Sequence, residues 1–147
     1  MKEFRIKRWG YQDEPTVVEC QLFIYSFDSF SETTMDFSVN MFLRQQWTDY
    51  RLHFHDLIPT SIIQLDSRFL DNIWVPDLYF VNGKNGKLHD ITMPNRLIHV
   101  YKNATVLYNI RVSMTFSCPM DLTYYPLDIQ ICFIEMASCK LTYLFDC

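Results

Sequence analysis

The chain has 147 residues, enough for one domain with a sizeable core and too few for a second unit. Hydrophobic residues make up 49% and charged residues 20%, with only three glycines and six prolines, which excludes a disordered or low-complexity chain. A net charge of −4 with scattered basic residues makes nucleic acid a poor partner, and no stretch approaches the roughly 20 apolar residues of a membrane helix.

Residues 1–16 form an unassigned N-terminal segment; it carries basic residues but no apolar central run, so it does not read as a secretory signal. Val17–Phe27 is an apolar and aromatic run with strand composition, followed by a polar stretch, Ser29–Thr34. From Met35 to Trp47 the odd positions Met35, Phe37, Val39, Met41, Leu43 and Trp47 are apolar, while most even positions are polar. Successive side chains of a strand point to opposite faces, so this segment predicts a strand with one buried and one wet face. His53 and His55 would share a side of a strand, but a zinc site needs three or four ligands, and exposed loop residues are expected there. No metal is predicted.

Turn signals follow at Ile58-Pro59-Thr60, Asn82-Gly83, Asn85-Gly86, Met93-Pro94-Asn95 and Lys102-Asn103. Arg96–Lys102 has strand composition, and Asn103-Ala104-Thr105 is an acceptor triplet for N-glycosylation in an extracellular chain. Thr105–Ser117 repeats the alternation, with Val106, Tyr108, Ile110, Val112, Met114 and Phe116 on one side. Asp128–Met136 is a further strand candidate. Helical periodicity is nowhere sustained. Strands with one apolar face need a second sheet to cover them, so the predicted fold is an all-β, antiparallel β-sandwich.

Five cysteines leave at least one thiol unpaired within a monomer, and none has the close spacing of a zinc or redox motif. Cys118 and Cys132 bracket thirteen residues that include the aromatic–proline pair Tyr125-Pro126, the type most open to a cis peptide. By themselves these residues read as a stapled, hairpin-like loop. The segment Cys118-Pro119-Met120-Asp121 through Tyr125-Pro126-Leu127-Asp128 to Cys132 resembles the signature loop of pentameric ligand-gated channels, the Cys-loop receptors. Phe42-Leu43-Arg44-Gln45-Gln46-Trp47, Trp74-Val75-Pro76-Asp77 and Val106–Arg111 resemble other stretches of that family, in the same order and at matching separations. Pro-Met-Asp-Leu after Cys118, together with two arginines, resembles the glycine-receptor-like, anion-channel branch.

The resemblance implies an immunoglobulin-like extracellular ligand-binding domain over residues 17–147. Five such domains ring together and bind a small amino-acid-like neurotransmitter between neighbours. It implies a Cys118–Cys132 disulfide, with Pro119, Asp121, Tyr125, Pro126 and Asp128 in a loop that passes binding on to a pore. On the complementary face it implies Phe42, Arg44, Leu97, Asn109 and Arg111 as ligand residues. A guanidinium suits an agonist carboxylate because its planar fork bonds both oxygens and stays charged. On the principal face Tyr79, in the first binding loop, and Ser138, in the second, are the matching positions; an aromatic at Tyr79 can attract an ammonium group. Trp47, Trp74 and Asp77 are expected to be structural.

Two departures stand out. Cys139 occupies a place where relatives carry an aromatic, and Lys87 stands where one histidine of a modulatory zinc pair would be, with His89 matching the other. The resemblance therefore implies a chain shortened before the third principal loop and the membrane helices, with Cys139–Cys147 foreign to the family frame. Its partners would be the transmitter, homologous subunits and, through a missing domain, the plasma membrane, facing outward. No cofactor is implied. A secreted binder of the same fold without a channel is the alternative, and four downstream apolar helices in the transcript would separate the two. A cell-adhesion sandwich would leave the stapled loop and both arginines unexplained. The chain has no glycine-rich phosphate loop, nucleophile elbow or paired-carboxylate motif, which argues against an enzyme.

Overall fold

The computed structural model describes residues 2–6, 16–52, 54 and 59–138. His53, His55, Cys139–Cys147 and most of the N-terminal segment lie outside the described residues. The strands are β1 (Lys2–Ile6), β2 (Thr16–Ser31), β3 (Asp36–Thr48), β4 (Ile62–Leu65), β5 (Leu78–Phe80), β6 (Gly83–Leu88), β7 (Arg96–Tyr101), β8 (Thr105–Ser117) and β9 (Met136–Ser138). Every pairing is antiparallel. A large sheet runs β1-β2-β3-β8-β7-β4, with β6 also on β8, and β5 pairs with β9 in a small second sheet. The antiparallel all-β fold expected from the alternation is the one observed.

β3 and β8 form the spine. Their thirteen residues pair without interruption from Asp36↔Ser117 to Thr48↔Thr105. The odd residues of β3 from Phe37 to Trp47 are buried, as are Val106, Tyr108, Val112 and Phe116 of β8. A two-residue period fixes this register, because a one-residue slip would turn the whole apolar set into water. β8 is covered on its other edge by two strands in succession: β7 along Val106–Ile110 and β6 along Val112–Phe116.

The apolar face carries two clusters. One gathers around Trp47, Val18, Ile98, Val100 and Val106, and is covered by Leu52, Ile63, Leu70 and Trp74. The other gathers around Phe37, Val39, Met41, Phe116 and Cys118, and is covered by Phe80, Leu122, Cys132 and Ile134. Phe116 is fully buried, with the Phe37 and Phe80 rings each 5.4 Å away.

Three expectations from sequence are corrected. The polar stretch after residue 28 does not end β2, which runs to Ser31 before turning at residues 32–35. Asn85-Gly86 is not a turn; it lies inside β6, where a Cβ on Gly86 would stand 2.3 Å from Met114 Sδ, so glycine permits a close side-chain crossing. Asp128–Met136 is not a strand. Ile129, Ile131 and Phe133 are exposed and alternate with half-buried Gln130, Cys132 and Ile134, but ladder pairing begins only at Met136. Strand composition does not create a ladder partner.

Candidate ligand-binding face and coupling loop

The wet face of β2, β3, β8 and β7 brings the five complementary-face residues together. In one row across the sheet, Gln21 pairs with Arg44, Arg44 with Asn109, and Asn109 with Leu97. In the next, Phe23 pairs with Phe42 and Phe42 with Arg111. Residues two apart on one strand share a face, so Arg44 and Arg111 are diagonal neighbours on the same side. Gln21, Phe23, Phe42, Arg44 and Asn109 line an open depression of about 380 Å³.

Phe42 is flanked by two rings: Phe23 at 6.5 Å, nearly parallel, and Tyr25 at 5.2 Å. Arg111 Nε donates to the Tyr25 hydroxyl at 2.7 Å, and its guanidinium carbon stands 5.4 Å from the Tyr25 ring centre. Arg44 is exposed, and its side chain makes no hydrogen bond or ion pair among the described residues. The arrangement offers positive charge, an apolar floor and amide groups to something small and anionic.

Gln21, Phe23 and Tyr25 are absent from the site predicted by sequence. Their signal was present: they are alternate residues of a run read only as apolar and aromatic, and alternation puts them on one face.

Tyr79 and Ser138 lie elsewhere, in the small sheet, where Leu78 pairs with Ser138 and Tyr79 with Ala137. Tyr79 is 42% exposed, whereas Ser138 is 5% exposed and donates its hydroxyl to Asp77 Oδ1 at 2.7 Å. The two groups of candidate residues therefore occupy different sheets of one chain. Trp47 is buried and meets Trp74 edge to face at 5.9 Å.

The Cys118–Cys132 disulfide is formed, with 5.3 Å between Cα atoms, and the Tyr125–Pro126 peptide is cis. The inner end of the loop is anchored in the core by Cys118 and Met120. Its interior is organised by polar side chains. Asp121 accepts from the Thr123 amide at 3.0 Å and from the Thr123 hydroxyl, and these bonds hold its carboxyl below the usual range. Gln130 Nε2 donates to the Asp121 carbonyl at 2.7 Å and to the Asp128 carboxylate, and Gln130 Oε1 accepts from the Asp121 amide. Tight turns follow, from Leu122 to Tyr125 and from Tyr124 to Leu127. Pro119 is exposed, as are Pro126, Tyr124, Tyr125 and Leu127, so the outer surface of the loop is apolar.

Asn82, in the turn between β5 and β6, was read only as a turn residue. Its side chain donates to the carbonyls of Ser117 (3.1 Å) and Phe133 (2.8 Å) and accepts from the Glu135 amide (3.1 Å), tying both ends of the disulfide loop to the turn between β5 and β6. Asn103 is exposed on the turn before β8, with Oδ1 accepting from the Thr105 amide at 3.2 Å. His89 Nε2 bonds Ser113 Oγ at 2.7 Å, and Lys87 is exposed on β6. Among the described residues no three His, Cys, Asp or Glu side chains cluster as metal ligands, and no helix is long and apolar enough to cross a membrane.

A family model described as the neurotransmitter-gated ion-channel ligand binding domain matches residues 5–143, which takes in both candidate faces and the whole stapled loop. The disulfide loop, the antiparallel sheets and that match agree: the chain belongs to the family of neurotransmitter-gated ion-channel ligand-binding domains, the extracellular parts of membrane-embedded channels.

Proposed function

We propose that this domain binds a small amino-acid-like neurotransmitter at subunit interfaces of a pentamer and gates a chloride-conducting pore of the glycine-receptor-like branch at the plasma membrane. Arg44 and Arg111 clamp the agonist carboxylate from the complementary face, with Phe42, Leu97 and Asn109 around it. Tyr79 and Ser138 serve the principal face of the next subunit. The loop of Pro119, Asp121, Tyr125, Pro126 and Asp128 meets the membrane portion, and Asn103 carries an N-glycan.

One observation carries this reading: Arg44 and Arg111 stand diagonally on adjacent strands, on one open face, with Phe42 and Asn109 as their ladder partners. Solubility asks for scattered charge on an exposed face. It does not ask for two guanidinium groups beside an aromatic floor. An agonist favouring the open-state interface would shift the gating equilibrium by its difference in affinity for the two states.

The test is the concentration–response curve of receptors bearing this domain. Arg44→Ala and Arg111→Ala should each raise the half-activating concentration about tenfold or more, roughly 1.4 kcal/mol per lost charged hydrogen bond. Unchanged curves in both variants would remove the clamp.

A further inference from the structure

β2 crosses the candidate site as an irregular strand. Its pairing with β3 shifts between Ile24↔Met41 and Ser26↔Asn40, which leaves Tyr25 as the extra residue of a bulge. A bulge bends its strand and re-aims a side chain. Here both Tyr25 and its neighbour Ser26 reach the wet face: Tyr25 meets Phe42 and Arg111, and Ser26 bonds Asp28, which in turn holds Asn40.

A guanidinium presents two forked edges to a carboxylate, one through Nε and a terminal nitrogen, the other through both terminal nitrogens. Tyr25 takes the first, because its hydroxyl accepts the Nε–H of Arg111 while its ring lies under the cation. The terminal nitrogens make no hydrogen bond among the described residues. An arginine held at Nε and within cation–π reach of a ring has given up much of its rotamer freedom before a ligand arrives.

We propose that Tyr25 is a positioning residue of the agonist site, fixing Arg111 so that its end-on edge, the two Nη atoms, faces a carboxylate. The proposal rests on the carboxylate-clamp reading given above. Tyr25 acts through Arg111 and needs no contact of its own with the ligand. Phe42 completes the support, since its ring lies 5.2 Å from that of Tyr25.

The experiment measures responses to glycine, GABA and L-glutamate in receptors carrying the domain, with surface expression checked for each variant. Tyr25→Phe keeps the ring and loses the acceptor, so the half-activating concentration should rise about threefold to tenfold. Tyr25→Leu also removes the ring and should exceed about tenfold. Tyr50→Phe, at an exposed tyrosine away from the face, should leave the curve in place. The decisive readout is the double variant: Tyr25→Phe should add nothing to Arg111→Ala, since there is no guanidinium left to orient. If Arg111→Ala is silent, Arg111→Met, which has no donor for the Tyr25 hydroxyl, supplies the background, and Tyr25→Phe should again be without effect.

Losses that multiply in the double variant would mean that Tyr25 works independently, and the proposal falls. Wild-type curves for both Tyr25 variants, with Arg44→Ala and Arg111→Ala impaired, would also overturn it while leaving the clamp in place. Unshifted arginine variants, or a receptor silent to all three amino acids, would remove the clamp and Tyr25 together.

Discussion

The candidate ligand face and the disulfide loop are both borne by β8, yet they are built by different means. On the face, position follows from ladder register: Arg44 meets Asn109 and Phe42 meets Arg111 because β3 and β8 pair without interruption. In the loop there is no ladder, and shape comes from a covalent staple, the side chains of Asp121, Gln130 and Asn82, and two tight turns. A face made by register is hard to deform without losing core. A loop made by side-chain bonds can be altered one bond at a time. The proposed recognition face therefore sits on the stiff part of the molecule and the proposed relay on the adjustable part.

The change expected to blur this contrast most is Phe116→Ala. Its ring belongs to the cluster that joins Met41 and Val112, next to Phe42 and Arg111 on their strands, to Cys118 and Met120 of the loop, and its loss should cost about 3–5 kcal/mol, read by denaturant unfolding of the domain. A cost under about 1 kcal/mol would mean that the cluster around Phe116 is not what holds β8 down.

Paired Cys118→Ser and Cys132→Ser substitutions should separate the regions instead. About 3 kcal/mol of loop-closure stabilisation is lost. Hydrogen exchange should quicken across residues 119–131, while the β3–β8 amides keep their protection. Equal loss of protection in both would show one cooperative unit.

The smallest effect expected is acid sensitivity of the loop. The Asp121 carboxyl is held below its unfolded value by its bonds from Thr123. Its contribution is thus present above the unfolded value, about 3.9, and is lost as pH falls through the lower folded one. The Tm gap between wild type and Asp121→Asn should close as pH drops from about 6 to about 3. A constant gap would mean that the ionised carboxylate is not what orders the turn.

The same division explains what could be read from sequence. The alternation in β3 and β8 gave their spans and faces, whereas the gathering of Phe42, Arg44, Asn109 and Arg111 was implied by the family resemblance, and the register that pairs the two strands was not read from sequence. β2 was harder. Its two bulges break the period, and its exposed aromatics Phe23, Tyr25 and Phe27 look like core in a one-dimensional pattern. Asp128–Met136 shows the opposite failure, where alternating burial is real but no neighbour among the described residues supplies a ladder over residues 128–135. Asn82 was invisible as a fastener because its three backbone partners lie 35 or more residues away.

β8 has one last consequence. Arg111 and Cys118 lie seven residues apart on a single extended segment, about 24 Å at the rise of an antiparallel strand. Neighbours grip that segment on both sides, so axial slippage would have to proceed in two-residue jumps with every ladder bond broken at once. It is free only to tilt or flex as a beam. A force applied at the guanidinium end must arrive at the stapled end as a swing.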